Sequence, residues 1–223
     1  MHTFEAIKNR RSIREFTRQE ITKENLEKLI EAARLAPTAR NEQPWEFVVI
    51  TNQAVKQKIS QITDPNGLFI SSAAAAIVVF CLNSKYYLED GSAATENILI
   101  QASDLGIGSC WVAGDKKPYC DKVKQLLKVT DKYKLISIIA LGYPQQSPGP
   151  IEKRAIKDVV HWEAFLTKTL YQKEFKGNNG KSKKSKPKEK NSKKTGESCQ
   201  KTKNASPKTI KKQKSSKGFF TQG

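Results

Sequence analysis

The sequence predicts a core of mixed α and β structure, and two kinds of hydrophobic pattern support this prediction. Residues 26–33 place apolar side chains three and four positions apart, which is the spacing of one buried helix face. Residues 74–82 and 135–141 are instead continuous apolar runs, as in strands that are buried on both faces. Such strands need helices on both sides of their sheet, and the intervening segments can supply them.

The first half of the core is predicted to contain two helices and two strands. A short amphipathic helix near the N-terminus includes Phe4 and Ile7. Thr22 is expected to cap the second helix, because its hydroxyl can accept a free N–H of the first turn, and Pro37 ends that helix. Residues 46–50 then form the first strand, which precedes the apolar run described above.

The second half alternates helices and strands in the same way. Ser92 is expected to cap a helix that Gly106 ends, so that residues 83–91 form a nine-residue connection before it. Residues 107–112 are short and extended, and residues 123–127 belong to a further helix before the last strand.

Positive charge is concentrated at the C-terminus. The formal net charge of the 223 residues is +18, but residues 171–223 contain 17 Lys and only 3 Glu. Residues 1–170 are therefore nearly balanced and are predicted to form one folded domain. Residues 171–223 contain almost nothing to bury, so we expect a disordered Lys-rich tail. Such a tail could bind nucleic acid or another polyanion without sequence specificity, or be a solvated extension or a targeting signal.

Several classes of protein are excluded by composition. No apolar run reaches the length that spans a bilayer, and the polar N-terminus lacks the apolar core of a secretory signal. The cysteines show no metal-binding spacing, so we expect no metal site and no disulfide framework. Free thiols in a reducing compartment make the cytoplasm the expected location. The four cysteines are Cys81, Cys110, Cys120 and Cys199.

Three separated segments have compositions that suit ligand binding. Residues 10–14 contain three arginines, whose guanidinium groups can hold phosphate oxygens in pairs of hydrogen bonds. Residues 37–45 are rich in amides and turn formers, and residues 106–114 contain small side chains that let the backbone approach a planar ligand. Each has a structural alternative, namely a solvated charged face, a proline-bounded turn and a tight turn before a strand.

The order and spacing of these segments resemble the nitroreductase family of FMN-dependent oxidoreductases. The matching stretches are residues 10–16 (RRSIREF), 36–47 (APTARNEQPWEF), 105–114 (LGIGSCWVAG) and 152–162 (EKRAIKDVVHW). The resemblance runs from about residue 3 to residue 162. It implies an α+β fold with a mixed, mainly antiparallel sheet flanked by helices, and a homodimer.

The resemblance also implies roles for individual residues. The flavin carries the chemistry, so no side chain is expected to be catalytic. Arg14 is expected near N1 and the C2 carbonyl of the flavin, where a fixed cation stabilises the negative charge that two-electron reduction places there. The 37–41 segment is expected to come from the second subunit. The residues implied in FMN binding are Arg10, Arg11, Ser12, Arg14, Pro37, Thr38, Ala39, Asn41, Val112, Ala113, Gly114, Lys153 and Arg154.

The chain departs from the family pattern at a few positions. Thr38 and Ala39 replace the usual pair of serines, and Ala113 stands where many relatives have Glu. The short connection before Ser92 implies a minimal substrate lid. Cys110 lies beside the expected flavin, where it is either a redox thiol or, as we expect without a partner, a packing residue.

The resemblance implies transfer of two electrons from NAD(P)H through FMN to a nitroaromatic, a quinone or a similar small electron-poor acceptor. Two alternatives remain open at this point. One is a flavoprotein tethered to a polyanion by its Lys-rich tail. The other is an FMN enzyme of the same fold that catalyses dehalogenation or dehydrogenation.

Overall fold

A computed structural model describes residues 2–165, which divide between Lys153 and Arg154 into two parts that are described separately. The predicted boundary between residues 170 and 171 lies outside the described residues. The helices of the first part are α1 (Thr3–Asn9), α2 (Lys23–Arg34), α3 (Gln53–Ile62), α4 (Tyr87–Asp104) and α5 (Cys120–Leu126). Its strands are β1 (Trp45–Ile50), β2 (Ala75–Leu82), β3 (Gly108–Ala113) and β4 (Tyr133–Gly142).

The four strands form one sheet in the order β1-β2-β4-β3. All three strand pairs are antiparallel, and their register places Trp45 opposite Cys81 and Gly108 opposite Gly142. The apolar runs β2 and β4 occupy the centre, whereas β1 and β3 lie at the edges. The expected α+β fold with a mainly antiparallel sheet is confirmed.

The side chains of β2 alternate between two apolar clusters, one on each face of the sheet. Ile77 and Val79 pack in the cluster that includes the buried faces of α2 and α4. Val78 and Phe80 pack in the other cluster, with residues of α3 and α5. This explains why the strand is apolar from Ala75 to Cys81, because neither of its faces reaches water over these residues.

Helix α2 begins and ends close to where the sequence predicts. The Thr22 hydroxyl accepts a hydrogen bond of 3.2 Å from the Asn25 N–H, as expected for the N-cap. Leu26, Leu29 and Ala33 are buried on one face, so the helical spacing of apolar residues is also confirmed. The helix ends at Arg34, three residues before Pro37.

Helix α4 begins earlier than predicted, at Tyr87, and Ser92 is therefore inside the helix and not its cap. The expected connection over residues 83–91 shrinks to residues 83–86. The sequence did not reveal this start, because glycine is unfavourable inside a helix. Gly91 is buried here, and a Cβ at this position would lie 2.6 Å from the Ile136 side chain. Close packing against the sheet requires glycine at that position, which outweighs its low helix propensity.

Helix α3 carries a buried cation. The Lys56 Nζ donates hydrogen bonds of 2.5 and 3.1 Å to the carbonyl oxygens of Ala73 and Ala74, just before β2. Only 5% of Lys56 is exposed, and burial lowers the pKa of its ammonium group. Lys56 thus satisfies two backbone carbonyls where the chain turns into the central strand.

The second part of the described structure, residues 154–165, contains one short 3-10 turn, Ile156–Asp158. Its Arg154 Nη2 donates to the Asp158 carbonyl within that part. His161 and Trp162 lie in irregular backbone. The predicted Lys-rich tail lies outside the described residues. None of the helices within residues 2–165 is long and apolar enough to cross a membrane.

The Thr22 cap can be tested by substitution. Replacing Thr22 with Ala removes the acceptor of the Asn25 N–H, and we expect the free energy of unfolding to fall by about 1 kcal/mol. Urea denaturation followed by circular dichroism measures this difference. Thr22→Ser keeps the hydroxyl and should stay within about 0.5 kcal/mol of the parent. Equal loss in both variants would show that the hydroxyl is not the cap.

Candidate functional site

The arginine-rich segment after α1 lies along the outer edge of β3. Ser12 forms a parallel bridge with Ser109, and the Ile13 N–H donates a hydrogen bond of 2.9 Å to the Ser109 carbonyl. Because β3 is an edge strand, its outer backbone groups are free to accept such pairing. Two segments that the sequence singled out separately, 10–14 and 106–114, are thus joined by the backbone.

Two glycines allow this segment to approach the sheet closely. A Cβ at Gly108 would lie 3.0 Å from the Ile13 side chain, and a Cβ at Gly142 would lie 2.7 Å from the Phe16 ring. These glycines are opposite each other in the β3–β4 pair. Of the small residues in the 106–114 segment, Gly108 thus makes room for the chain's own Ile13, and Gly142 on the neighbouring strand makes room for Phe16.

Arg10, Ser12 and Arg14 lie around the Cys110 thiol. Burial raises the pKa of this thiol, whereas the charge of Arg14, a hydrogen bond from Ser12 and the charge of Arg10 oppose the increase. The hydrogen bond places the Ser12 hydroxyl beside the sulfur, and the two arginine charges act on it through space from the same edge of the sheet. The structure therefore brings three of the predicted binding residues to one place.

The two outer arginines of this group have different surroundings. The Arg14 guanidinium lies 5.7 Å from the centre of the Phe69 ring, and its Nη1 is 3.4 Å from the Ser12 carbonyl. Arg10 is paired with Glu96 of α4 at 4.0 Å. Sequence reasoning did not include Phe69, because no local pattern links it to a residue 55 positions earlier.

Arg11 uses its donors within the protein. Its Nη1 donates to the carbonyls of Lys8 and Arg10 at 2.7 and 2.9 Å, and its Nε donates to the Gly149 carbonyl at 3.2 Å. These bonds satisfy carbonyls at the end of α1 and hold the 149 region. Of the three arginines, Arg11 is thus the one most occupied by structural contacts.

The loop between α2 and β1 has an unusual backbone. Arg40, Asn41 and Gln43 have φ angles of 56°, 56° and 47°, in the left-handed region that side chains other than glycine seldom adopt. The Gln43 N–H donates to the Thr38 hydroxyl at 3.3 Å, which closes the loop. Strained backbone of this kind is common where a loop is shaped to meet a ligand.

This loop and the arginine group contact α4 at different points. The Ala39 N–H donates a hydrogen bond of 3.3 Å to Oδ1 of Asp90, in the first turn of α4. Arg10 contacts Glu96, which is six residues further along, or about 9 Å along the axis and about 120° around it. Within one chain, the loop and the arginine group therefore meet different faces of α4.

The remaining predicted residues lie at the end of β3 and near residue 153. Val112 is buried, Ala113 is exposed, and the Gly114 N–H donates to the Ile136 carbonyl at 2.9 Å. The Tyr119 hydroxyl donates to the Ala113 carbonyl. Lys153 is exposed at the end of the first part of the structure.

Other predicted binding residues are also solvent-accessible. Pro37 and Asn41 are exposed, and Arg154 belongs to the second part, whose placement relative to the first is not described. Across residues 2–165, no group of three His, Cys, Asp or Glu side chains is arranged to hold a metal ion.

The cysteine surroundings predict different reactivities. Burial raises the pKa of both Cys110 and the half-buried Cys120, but only Cys110 is almost completely enclosed. A raised pKa leaves less of the nucleophilic thiolate near neutral pH. At pH 8 we expect iodoacetamide to modify Cys120 faster than Cys110 in the native protein. Peptide mass spectrometry of timed samples measures both rates, and the urea-unfolded chain is the control. Faster labelling of Cys110 would identify it as a reactive thiol.

Comparison with known proteins identifies relatives over nearly all of the described chain. The nitroreductase family profile matches residues 7–76, and a second profile, provisionally described as TM nitroreductase, matches residues 66–172. An Archaeoglobus fulgidus protein, provisionally named NADH dehydrogenase/NAD(P)H nitroreductase, is 40% identical over 169 residues. The match covers 71% of this chain and 96% of that protein.

Two further relatives have more specific names. The oxygen-insensitive NADPH nitroreductase of Helicobacter pylori is 26% identical, over 64% of this chain and 87% of that protein. The structure of an FMN-dependent nitroreductase from Clostridium difficile is similar, with a TM-score of 0.68 and 33% identity. It covers 72% of this chain and 98% of that one. Sequence and fold therefore agree, and the chain belongs to the nitroreductase family.

Proposed function

We propose that this chain is an FMN-dependent NAD(P)H oxidoreductase that reduces nitroaromatics, quinones or similar electron-poor molecules. The observation that carries the proposal is the pairing of Ser12 with Ser109, which gathers Arg10 and Arg14 beside β3 in a member of this family. FMN and NAD(P)H, both expected from the sequence, agree with the names of the Clostridium difficile and Helicobacter pylori relatives. The nature of the acceptor is part of the proposal.

The residues present suit an anionic cofactor. Arg14 contacts the Ser12 carbonyl and the face of Phe69, so no carboxylate among the described residues neutralises its charge. Arg10 has Glu96 at 4.0 Å, a distance that leaves its donors free to rotate toward a phosphate. Ser12 is exposed beside them, and its hydroxyl can turn from the Cys110 thiol toward a phosphate oxygen. Phosphate bound by several such donors gains charge-assisted hydrogen bonds.

The chemistry that bound FMN would supply is two-electron transfer from NAD(P)H to the acceptor. The protein's task is to hold the cofactor and to stabilise the charge that arrives with the electrons. Arg14 supplies a fixed positive charge for this purpose, and the Phe69 ring restricts its guanidinium to one side. A positioned charge stabilises a charged state without reorganising when the electrons arrive. No side chain is required to act as a general base.

The site is completed by a second copy of the chain. The loop over residues 37–43 and the arginine group contact different faces of α4, an arrangement that supports binding of one ligand by the arginines of one chain and the loop of another. In a homodimer, the loop of one chain can cover the cofactor that is held by the arginines of the other. Arg154, with Lys153, is proposed to add charge to the phosphate. Arg11, Pro37, Thr38, Ala39, Asn41, Val112, Ala113 and Gly114 keep the binding roles that the family resemblance implies.

Two features support a small and varied acceptor. Only residues 83–86 separate β2 from α4, which leaves no room for an inserted lid at that point. Ala113 is exposed and carries no charge where many relatives have Glu. Polyanion binding by residues 171–223 lies outside the described residues and stays a prediction, as does a cytoplasmic location.

The flavin assignment has a direct spectroscopic test. The purified protein, reconstituted with FMN and passed through a desalting column, should be yellow. Its absorbance near 450 nm should bleach when NADH or NADPH is added without oxygen, and return when a quinone or nitroaromatic is added. A folded protein that retains no FMN would contradict the proposal. Bound FMN that neither nicotinamide reduces would favour the other same-fold reactions.

The phosphate contacts can be tested one arginine at a time. Arg10→Ala and Arg154→Ala each remove a charged donor, and we expect FMN affinity to fall by about 1.5–3 kcal/mol, roughly 10- to 150-fold. Quenching of FMN fluorescence measures the dissociation constant. Arg18→Ala removes an exposed arginine of the same charge four residues beyond Arg14 and should change affinity less than twofold. An unchanged affinity in Arg154→Ala would remove that residue from the site.

A further inference from the structure

Asp90 is a buried carboxylate with only one of its oxygens bonded. Its exposed fraction is 4%, and Oδ1 accepts the Ala39 N–H at 3.3 Å. Oδ2 is buried and has no hydrogen-bond partner among the described residues. Leaving a buried charged oxygen unpaired costs stability. A carboxylate at this position therefore carries a cost that its contacts must offset.

The loop that Asp90 contacts requires an external support. Its three left-handed residues, Arg40, Asn41 and Gln43, each oppose the backbone preference of a residue with a side chain. Its other hydrogen bonds are internal, including Asn41 N–H to the Thr38 carbonyl at 3.3 Å and Gln43 N–H to the Thr38 hydroxyl at 3.3 Å. The bond from Ala39 to Asp90 connects this strained unit to a long helix.

The place of Asp90 on α4 explains how its charge is tolerated. It lies in the first turn of an 18-residue helix, where the free N–H groups and the helix dipole stabilise a negative charge. A hydrogen bond to an ionised carboxylate is also stronger than one to a neutral acceptor. The thiol of Cys81 is close enough that the Asp90 charge, after burial, raises its pKa to about 12. This thiol consequently stays neutral beside the carboxylate.

We propose that Asp90 is a positioning residue that holds the 38–43 loop, through the Ala39 N–H, in the shape that receives the FMN of the partner subunit. The proposal rests on the function proposed above. Asp90 itself touches neither the cofactor nor the acceptor. Its effect reaches them through the backbone of a loop that would otherwise relax from its left-handed conformation.

Three variants separate the charge of Asp90 from its hydrogen bond. Asp90→Ala removes both, and Asp90→Asn keeps an acceptor oxygen but removes the charge. Glu89→Gln is the matched control, because Glu89 is exposed in the same first turn and carries the same charge. We expect the FMN dissociation constant to rise at least tenfold in Asp90→Ala, about threefold in Asp90→Asn and less than twofold in Glu89→Gln.

A second measurement reports the loop without any flavin. The exposed Arg40 lies in the loop and is a trypsin site, and cleavage there requires the backbone to open into an extended form. In the FMN-free protein, cleavage after Arg40 should be at least fivefold faster in Asp90→Ala than in the parent, and unchanged in Glu89→Gln. Mass spectrometry of early digests identifies the product that ends at Arg40.

The rate at which NADH reduces the bound flavin helps to distinguish a positioning role of Asp90 from general destabilisation. With FMN saturating and the temperature well below the melting point, anaerobic bleaching by NADH should proceed within twofold of the parent rate in Asp90→Asn. A variant that was simply less stable would lose melting temperature while keeping FMN affinity and the parent rate of cleavage after Arg40. That result, or an equal effect of Glu89→Gln on FMN affinity, would overturn the proposal.

If Asp90→Ala does not fold, Ala39→Pro provides an independent route. It deletes the N–H that Asp90 accepts at the first position of a 3-10 turn, and Thr38 already has the extended backbone that precedes proline, with φ −132° and ψ 152°. Faster cleavage after Arg40 in both Ala39→Pro and Asp90→Asn, with no additional effect in the double variant, supports the proposal. Any other pattern overturns it. Failure of the parent to bind FMN would instead overturn the proposed function, and the cleavage measurement would still decide the role of Asp90.

Discussion

Backbone pairing of the 12–17 segment with the end of the sheet, beginning with the hydrogen bond from the Ile13 N–H to the Ser109 carbonyl, fixes the candidate site to the fold. It attaches a segment without regular structure to the edge of a four-stranded sheet whose two faces are covered by helices. The backbone of Arg10 and Arg14, on either side of Ile13, thereby acquires a defined position, although their side chains are flexible. A cationic group held in this way is preorganised, so binding an anion costs less ordering than it would on a free loop.

The elements that sequence analysis located correctly are those whose signals are local. The hydroxyl of Thr22 precedes an apolar face at helical spacing, and β2 is a continuous apolar run, so α2 and the central strand could be predicted from the residues within them. The start of α4 could not be predicted in this way, because glycine is required at position 91 by close packing against Ile136 and not by its neighbours in sequence. Local propensity is overridden where packing against the sheet decides.

Sequence analysis proposes the residues of the candidate site but does not give their arrangement. The family resemblance named the arginines and the 37–41 loop, yet no pattern indicated that Ala39 would bond to Asp90, 51 residues away. Phe69 was absent from the prediction for the same reason, since its contact with Arg14 exists only in three dimensions. Within one chain, α4 contacts the loop and the arginines on separate faces, which supports the proposal that two chains share the site.

The buried amine of Lys56 has a consequence for how this protein can be monitored. The chain is rich in lysines, and most of those described are exposed to water, whereas Lys56 is bonded to two carbonyls beneath α3. An acylating reagent reaches it when that corner of the molecule opens, so its rate of modification is the rate of an exposed amine multiplied by the equilibrium constant for opening. The modification rate of Lys56 therefore measures how often the native structure opens next to the central strand.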